Sequence, residues 1–231
     1  MEHEAFTWFS LIPVIGHFPG HVVTSVFVLL MLFVLSHLAK KALNDSDNPL
    51  VPDPKPTPRH IFEVIIETIL DLMRTIIGPH SEKYLPLIGA LFIYIFFCNI
   101  LGIIPGFLPP TDNINTNAAC ALVVFILYNY YGFREHGAAY LKQFIGPVLW
   151  LAPLMIVIEL FSHVFRPISL SIRLFGNIFG DHTVFSIFSD LTYFVIPCAF
   201  LTLGIIVSLV QAVVFALLSS VYISLAVSHE H

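Results

Sequence analysis

Arg173 lies inside a run, Pro147 to Phe188, that is hydrophobic enough to live in lipid. An arginine at mid-bilayer costs at least ~2.5–3.5 kcal/mol on insertion scales, and it cannot shed its charge by deprotonation. Its neighbours make a pattern. Glu159, Ser162, Arg166, Ser169, Arg173, Asn177 and Asp181 follow one another at steps of three or four residues. At about 100° per residue they all fall within a helical arc of roughly 120°. At 1.5 Å per residue the stripe is ~33 Å long, close to the hydrocarbon thickness of a bilayer. The chain therefore writes a polar ribbon down one side of an apolar helix, with a permanent cation near its middle.

Composition agrees with a bilayer setting. Only 11% of the 231 residues are charged and 57% are hydrophobic, with a mean hydropathy of +0.88; a soluble domain carries about 25% charged residues. We expect an all-α integral membrane protein, a single membrane domain over residues 1–231. With 10 Lys and Arg and a net charge of −5, nucleic acid is not an expected partner. Cys98, Cys120 and Cys198 all lie in apolar runs without a CxxC pair and read as small buried apolar residues. Met1-Glu2-His3-Glu4 has no basic n-region, so no cleaved signal peptide is expected.

Along the chain, residues 1–19 form a polar and aromatic lead and 20–39 a first span, closed by Lys40 and Lys41. Residues 40–83 hold a Pro-rich extended linker (Pro49, Pro52, Pro54, Pro56, Pro58) and then a helix from Arg59 to Ile77. That helix alternates Ile61, Ile65, Ile69, Leu72 and Ile76 with Glu63, Glu67, Asp71 and Arg74, so it is amphipathic and too charged to span. Further spans are expected at 84–105 and 116–131, and two long stretches follow at 147–188 and 193–227. Each long stretch exceeds one perpendicular crossing, so it is either one steeply tilted helix or a helix broken at residues such as Pro153, Pro167, Gly176 or Gly180. About five crossings result. Lys and Arg cluster between spans one and two and again at Arg134 and Lys142, while the N-terminus and the 102–117 loop have none. The positive-inside rule puts the N-terminus outside and the C-terminus in the cytoplasm.

Asp181 and His182 lie two turns beyond Arg173, and carboxylate and imidazole groups are the usual materials of a membrane proton relay. His182 is about 180° around the helix from Arg173 and faces a different neighbour, for which the last helix is the candidate. Glu159, Ser162 and Ser169 occupy the other end of the ribbon. On the final stretch Gly204, Ser208 and Gln211 share one face, and Gln211, set among Val210, Ala212 and Val213, should hydrogen-bond across a helix interface. No HExxH, GxSxG, P-loop or Rossmann fingerprint occurs, so no nucleotide site and no cofactor or metal is expected. The chain has 11 histidines, of which His21, His37, His163 and His182 lie in or near spans. A haem-bearing electron carrier is one alternative, and it predicts a Soret band; a self-contained transporter is another, and it predicts flux from this chain reconstituted alone.

The run Arg166-Pro-Ile-Ser-Leu-Ser-Ile-Arg-Leu-Phe-Gly-Asn177 closely resembles the signature of the a subunit of F-type ATP synthases. Leu209-Val-Gln-Ala-Val-Val-Phe with Val221-Tyr-Ile-Ser-Leu-Ala resembles the end of that subunit, and the loop Pro110-Thr-Asp-Asn-Ile-Asn115 also fits. The resemblance covers nearly the whole chain. It implies a bacterial stator subunit in the plasma (inner) membrane, not catalytic by itself, packed against a c-subunit ring with peripheral-stalk b subunits and the remaining synthase subunits as partners. It implies two long tilted helices and two offset half-channels, with Arg173 as the essential arginine between them. Asn177 and Gln211 match positions near the arginine and the outer half-channel, and Glu159 matches an acidic position on the cytoplasmic side. Asn177, Asp181, His182, Ser208 and Gln211 would then line the outer path, and Glu159, Ser162 and Ser169 the inner one. One departure stands out. Where some members pair a glutamate with a histidine on the last two helices, this chain has His182 and Gly204, so that pair cannot be its relay; Asp181, or a water near Gly204, is the expected substitute.

Overall fold

The computed structural model describes residues 19–44, 58–104, 106–137, 140, 151–191 and 195–227. The N-terminal lead and most of the Pro-rich linker lie outside them. Among the described residues the fold is all helical: α1 Gly20–Asn44, α2 Pro58–Ile77, α3 Leu85–Leu101, α4 Ile114–His136, α5 Ala152–Leu191 and α6 Val195–Val227, with short 3₁₀ turns at Ser81–Lys83 and Pro110–Asp112. Four of these helices (α1, α4, α5 and α6) are long and apolar enough to cross a bilayer, and α3 is a shorter apolar helix, so five crossings are available.

Local sequence explains where the helices begin and end. Proline near its start opens α3, and the chain turns at Gly102. The Asn113 side chain caps α4 by accepting from the Asn115 N–H at 2.9 Å. Gly137 closes α4 with φ +56°, a left-handed conformation that suits a residue without Cβ. α5 runs through Pro167 for 40 residues, and α6 is one helix of 33 residues. Over its described residues each long stretch is thus one unbroken helix; residues 147–150 and 193–194 lie outside them. At 1.5 Å per residue α5 is ~60 Å long, twice the hydrocarbon thickness, so it can cross only at a steep tilt or by projecting beyond the bilayer.

α2 is amphipathic, as its sequence pattern predicts. Ile69 and Met73 are buried while Arg74 stands exposed beside Asp71 and Glu82 at 3.5 and 3.0 Å. Such exposed pairs stabilise little; what seats α2 is its apolar face, together with the Ser224 hydroxyl of α6 donating to the Ile76 carbonyl at 3.1 Å. The main core runs between α2, α3, α4, α5 and α6, with Ile88, Ile95, Val124, Tyr128, Leu174, Phe215 and Ile223 fully enclosed. Small residues on α6 (Ala212, Ala216, Ser219, Ser220) let the helices approach closely. α1 packs on α3 through Val28, Cys98 and Leu101, and Ser25 shares a hydrogen bond with the Tyr94 hydroxyl. Cys98 and Cys120 are buried as expected; Cys198 is exposed, its place near the start of α6 being left uncovered by the described helices.

Candidate functional site

The polar ribbon of α5 divides into three parts. At the end nearest α4 and the last turns of α6, Arg166 pairs with Glu159 at 3.6 Å and lies over the Tyr222 ring at 5.7 Å. Next to this pair His163 turns inward and shares a hydrogen bond with Asn129 Oδ1 at 2.8 Å, and the Tyr140 hydroxyl donates to the same oxygen at 3.1 Å. Glu159 is therefore anchored by a cation of its own helix. Ser162 and Ser169 lie at the exposed edge of the same ribbon.

Arg173 occupies the middle. Its flanks alternate, with Leu170, Ser171, Leu174 and Ile178 buried against the bundle and Ile172, Gly176 and Phe179 exposed. Arg173 itself is exposed. No hydrogen bond or ion pair is made by it among the described residues. The contrast with Arg166 is physical: the paired arginine is satisfied inside the chain, and the unpaired one presents its charge outward.

One turn further, Asn177 donates its amide to Gln211 Oε1 and so ties α5 to α6. Gln211 and Ser208 are both buried, as a hydrogen-bonded helix contact requires. Beyond this bond opens a cavity of about 240 Å³, whose walls include Asp181, His182, Gly204, Ser208, Asn99 and Gly102. The sequence separates Asp181 and His182 by 100° of arc, yet both reach the cavity. His182 faces not only α6 but also the end of α3: a Cβ placed on Gly102 would stand 3.2 Å from its Nε2 and 2.7 Å from Pro109.

The end of α3 and the residues just after it supply the cavity's other wall, with Asn99 as its polar side chain, which sequence reading missed; behind it lies a buried polar network. Asn99 Oδ1 accepts from the Thr111 hydroxyl at 2.8 Å, and the Asn117 amide donates to the Thr111 carbonyl at 2.7 Å. These buried bonds fix the turn Pro110–Asp112. Asn113 reaches His21 of α1 at 3.3 Å. Burial pushes the Asp112 carboxyl above the ordinary carboxylate range, partly offset by the charge of His182. Asn99 could have been found by the criterion that singled out Gln211, an amide inside an apolar run.

A family model described as the ATP synthase A chain matches residues 20–224. The ATP synthase subunit a of Bdellovibrio bacteriovorus is 41% identical over 228 residues, 98% of this chain and 100% of that protein. Those of Trichlorobacter lovleyi and Geobacter sp. strain M21 are each 41% identical, over 88% and 91% of this chain and 85% and 88% of their own length. A match of this extent, on a chain with several bilayer-length apolar helices, means that the chain belongs to the ATP synthase A chain family and is a multi-pass membrane subunit of that synthase.

Proposed function

We propose that this chain is the proton-conducting stator of the synthase's membrane motor, with Arg173 as the gate between an outer and an inner path. The observation that carries the reading is the outward-facing, unpaired guanidinium of Arg173, which has a polar cavity on one side of it along α5 and the serine face on the other. Protons enter through the cavity past His182, Asp181 and Ser208 and reach a carboxylate of a c-subunit ring near Asn177 and Gln211. The neutral carboxyl then travels through lipid, which an anion could not do. After nearly a full turn it meets Arg173 from the other side. The fixed cation favours the carboxylate over the acid and drives the proton off, into a path along Ser162 and Ser169 towards Glu159. A direct leak would carry a proton past a permanent positive charge, which Coulomb repulsion opposes. Each charge moved through the membrane potential contributes ~2.3 kcal/mol per 100 mV, so several pass for each ATP.

In this reading the N-terminus faces outside and the C-terminus the cytoplasm, in the plasma (inner) membrane. Three polar features support one common outer end: the start of α1 (His21 on Asn113), the α3–α4 turn and the His182 end of α5 all meet there. The partners are the c-subunit ring, the peripheral-stalk b subunits and the remaining synthase subunits.

The test is Arg173→Ala in the assembled complex. ATP-driven proton pumping into inverted vesicles is expected to fall below detection, with the complex still assembled. Pumping at the native rate would overturn the assignment.

A further inference from the structure

One side of α5 packs on the bundle and the other is uncovered, yet both are apolar. Ile172 and Phe179 are exposed, while Leu170, Leu174 and Ile178 are buried. In a bilayer that division sets no preferred rotation of the helix, because lipid chains are as apolar as the side chains of a neighbour. Polar ties have to fix how α5 is turned about its own axis. Hydrogen bonds to neighbouring helices lie on either side of Arg173 along the chain. Asn177 donates to Gln211 of α6. On the other side, His163 meets Asn129 of α4 at 2.8 Å. His163 is 7% exposed, and its ring stands edge-on to Phe125 and Tyr128 at 5.3 and 5.2 Å.

The bond is directional on both partners. Asn129 Nδ2 donates to the Phe125 carbonyl at 2.7 Å, which leaves Oδ1 as the acceptor, and the Tyr140 hydroxyl donates to that oxygen at 3.1 Å. An amide oxygen has two lone pairs. His163 takes the second one, so its Nε2 carries the proton. At about 100° per residue, Arg173 lies ~80° around the axis from His163 and ~40° from Asn177, in the same sense. We propose that the His163–Asn129 bond is the lock that sets the rotation of α5 and thereby aims Arg173 out of the bundle, with His163 and Asn129 as positioning residues. Without the lock, α5 rolls and carries Arg173 away from the setting that the Asn177–Gln211 bond marks. The functional consequence rests on the reading of Arg173 as the gate; the rotation itself is measured without it.

The experiment uses the assembled complex in vesicles, with Cys98, Cys120 and Cys198 replaced by alanine and a nitroxide placed on a single new cysteine at position 169 or 175. Ser169 is exposed at one edge of the uncovered strip and Phe175 is half-buried at the other, ~120° apart around the axis. Collision of the nitroxide with dissolved oxygen reads how open each edge is. A roll of α5 opens one edge and closes the other, whereas loosening of the bundle opens both. Asn129→Leu and His163→Leu cut the bond from the α4 and the α5 side, so the test survives if one of them fails to assemble. Each is expected to shift the two collision rates in opposite directions and to slow ATP-driven pumping by roughly tenfold or more, the cost of a misplaced group. Combining them should roll α5 no further, because both remove one bond. His163→Gln sets an amide N–H near the place of Nε2 and is expected to keep the native collision pattern and most of the pumping rate. Unchanged collision rates in both leucine variants, a rise at both edges together, or a His163→Gln variant that behaves like His163→Leu would overturn the lock. A roll with native pumping would uphold the lock and count against Arg173 as the gate.

Discussion

Arg166 and Arg173 are seven residues apart, about two turns, and the fold treats them oppositely. Arg166 finds Glu159 and the Tyr222 ring; Arg173 faces out. The sequence shows that both lie on one ribbon, but only packing decides which of them is satisfied within the chain. Asp112 illustrates a second limit. An ionised or amide group inside an apolar run is costly and therefore conspicuous, which is how Arg173, Asp181 and Gln211 are found by reading alone. An aspartate in a turn is ordinary, and only the folded chain shows that this one is partly buried. Its burial has a thermodynamic consequence. The carboxyl is pushed above its ordinary value, so the folded chain binds that proton more tightly than the unfolded chain. The associated stability is fully present below the unfolded value, ~3.9, and is lost as pH rises through the raised folded value. Asp112→Asn cannot titrate there. Its melting temperature, relative to the native complex, should therefore climb with pH across that window and level off above it. A difference constant with pH would mean that the carboxyl is not desolvated.

At the scale of elements, helix identity was legible and helix continuity was not. Hydrophobic length and the alternation of Ile69 and Met73 with Glu67, Asp71 and Arg74 separate spans from a surface helix. Pro167 could have broken α5, because proline removes one backbone bond and crowds the preceding turn, yet the helix passes through it. Neighbouring helices decide that outcome, and single-helix reasoning does not contain them. The junction of α3 with the following turn depends on contact of the same long-range kind. Gly102 permits His182 and Pro109 to press against backbone; an added Cβ would come within 2.7 Å of Pro109. Gly102→Ala is expected to destabilise the complex by about 1–3 kcal/mol, the usual cost of overpacking, and to slow proton conduction by shifting the cavity wall. Thermal unfolding and vesicle conduction check the two effects separately; an unshifted melting temperature would show that the turn yields freely.

On the scale of the whole molecule, α5 and α6 each keep one side uncovered. Ser162, Ser169, Ile172, Arg173, Gly176 and Phe179 form the uncovered strip of α5, and Leu203, Ile206 and Val210 lie on the uncovered side of α6. Lipid alone would be indifferent to size along such a strip, whereas a rotor sliding past it would not. Gly176 separates these cases. Gly176 is exposed, and no atom outside its own helix turn lies within 4 Å of a Cβ built there, so the first atom of a larger side chain meets nothing inside this chain. Leucine is also the better helix former, by up to about 1 kcal/mol, so Gly176→Leu should fold at least as well as the native chain. If a c-subunit ring moves across this strip, the added bulk enters the rotor's path beside Arg173, and ATP-driven pumping should fall by roughly tenfold or more with melting temperature and assembly unchanged. With melting temperature and assembly unchanged, such a loss arises between subunits. An unimpaired pumping rate would mean that the strip faces lipid, and the rotor would then have to pass along another side of the molecule.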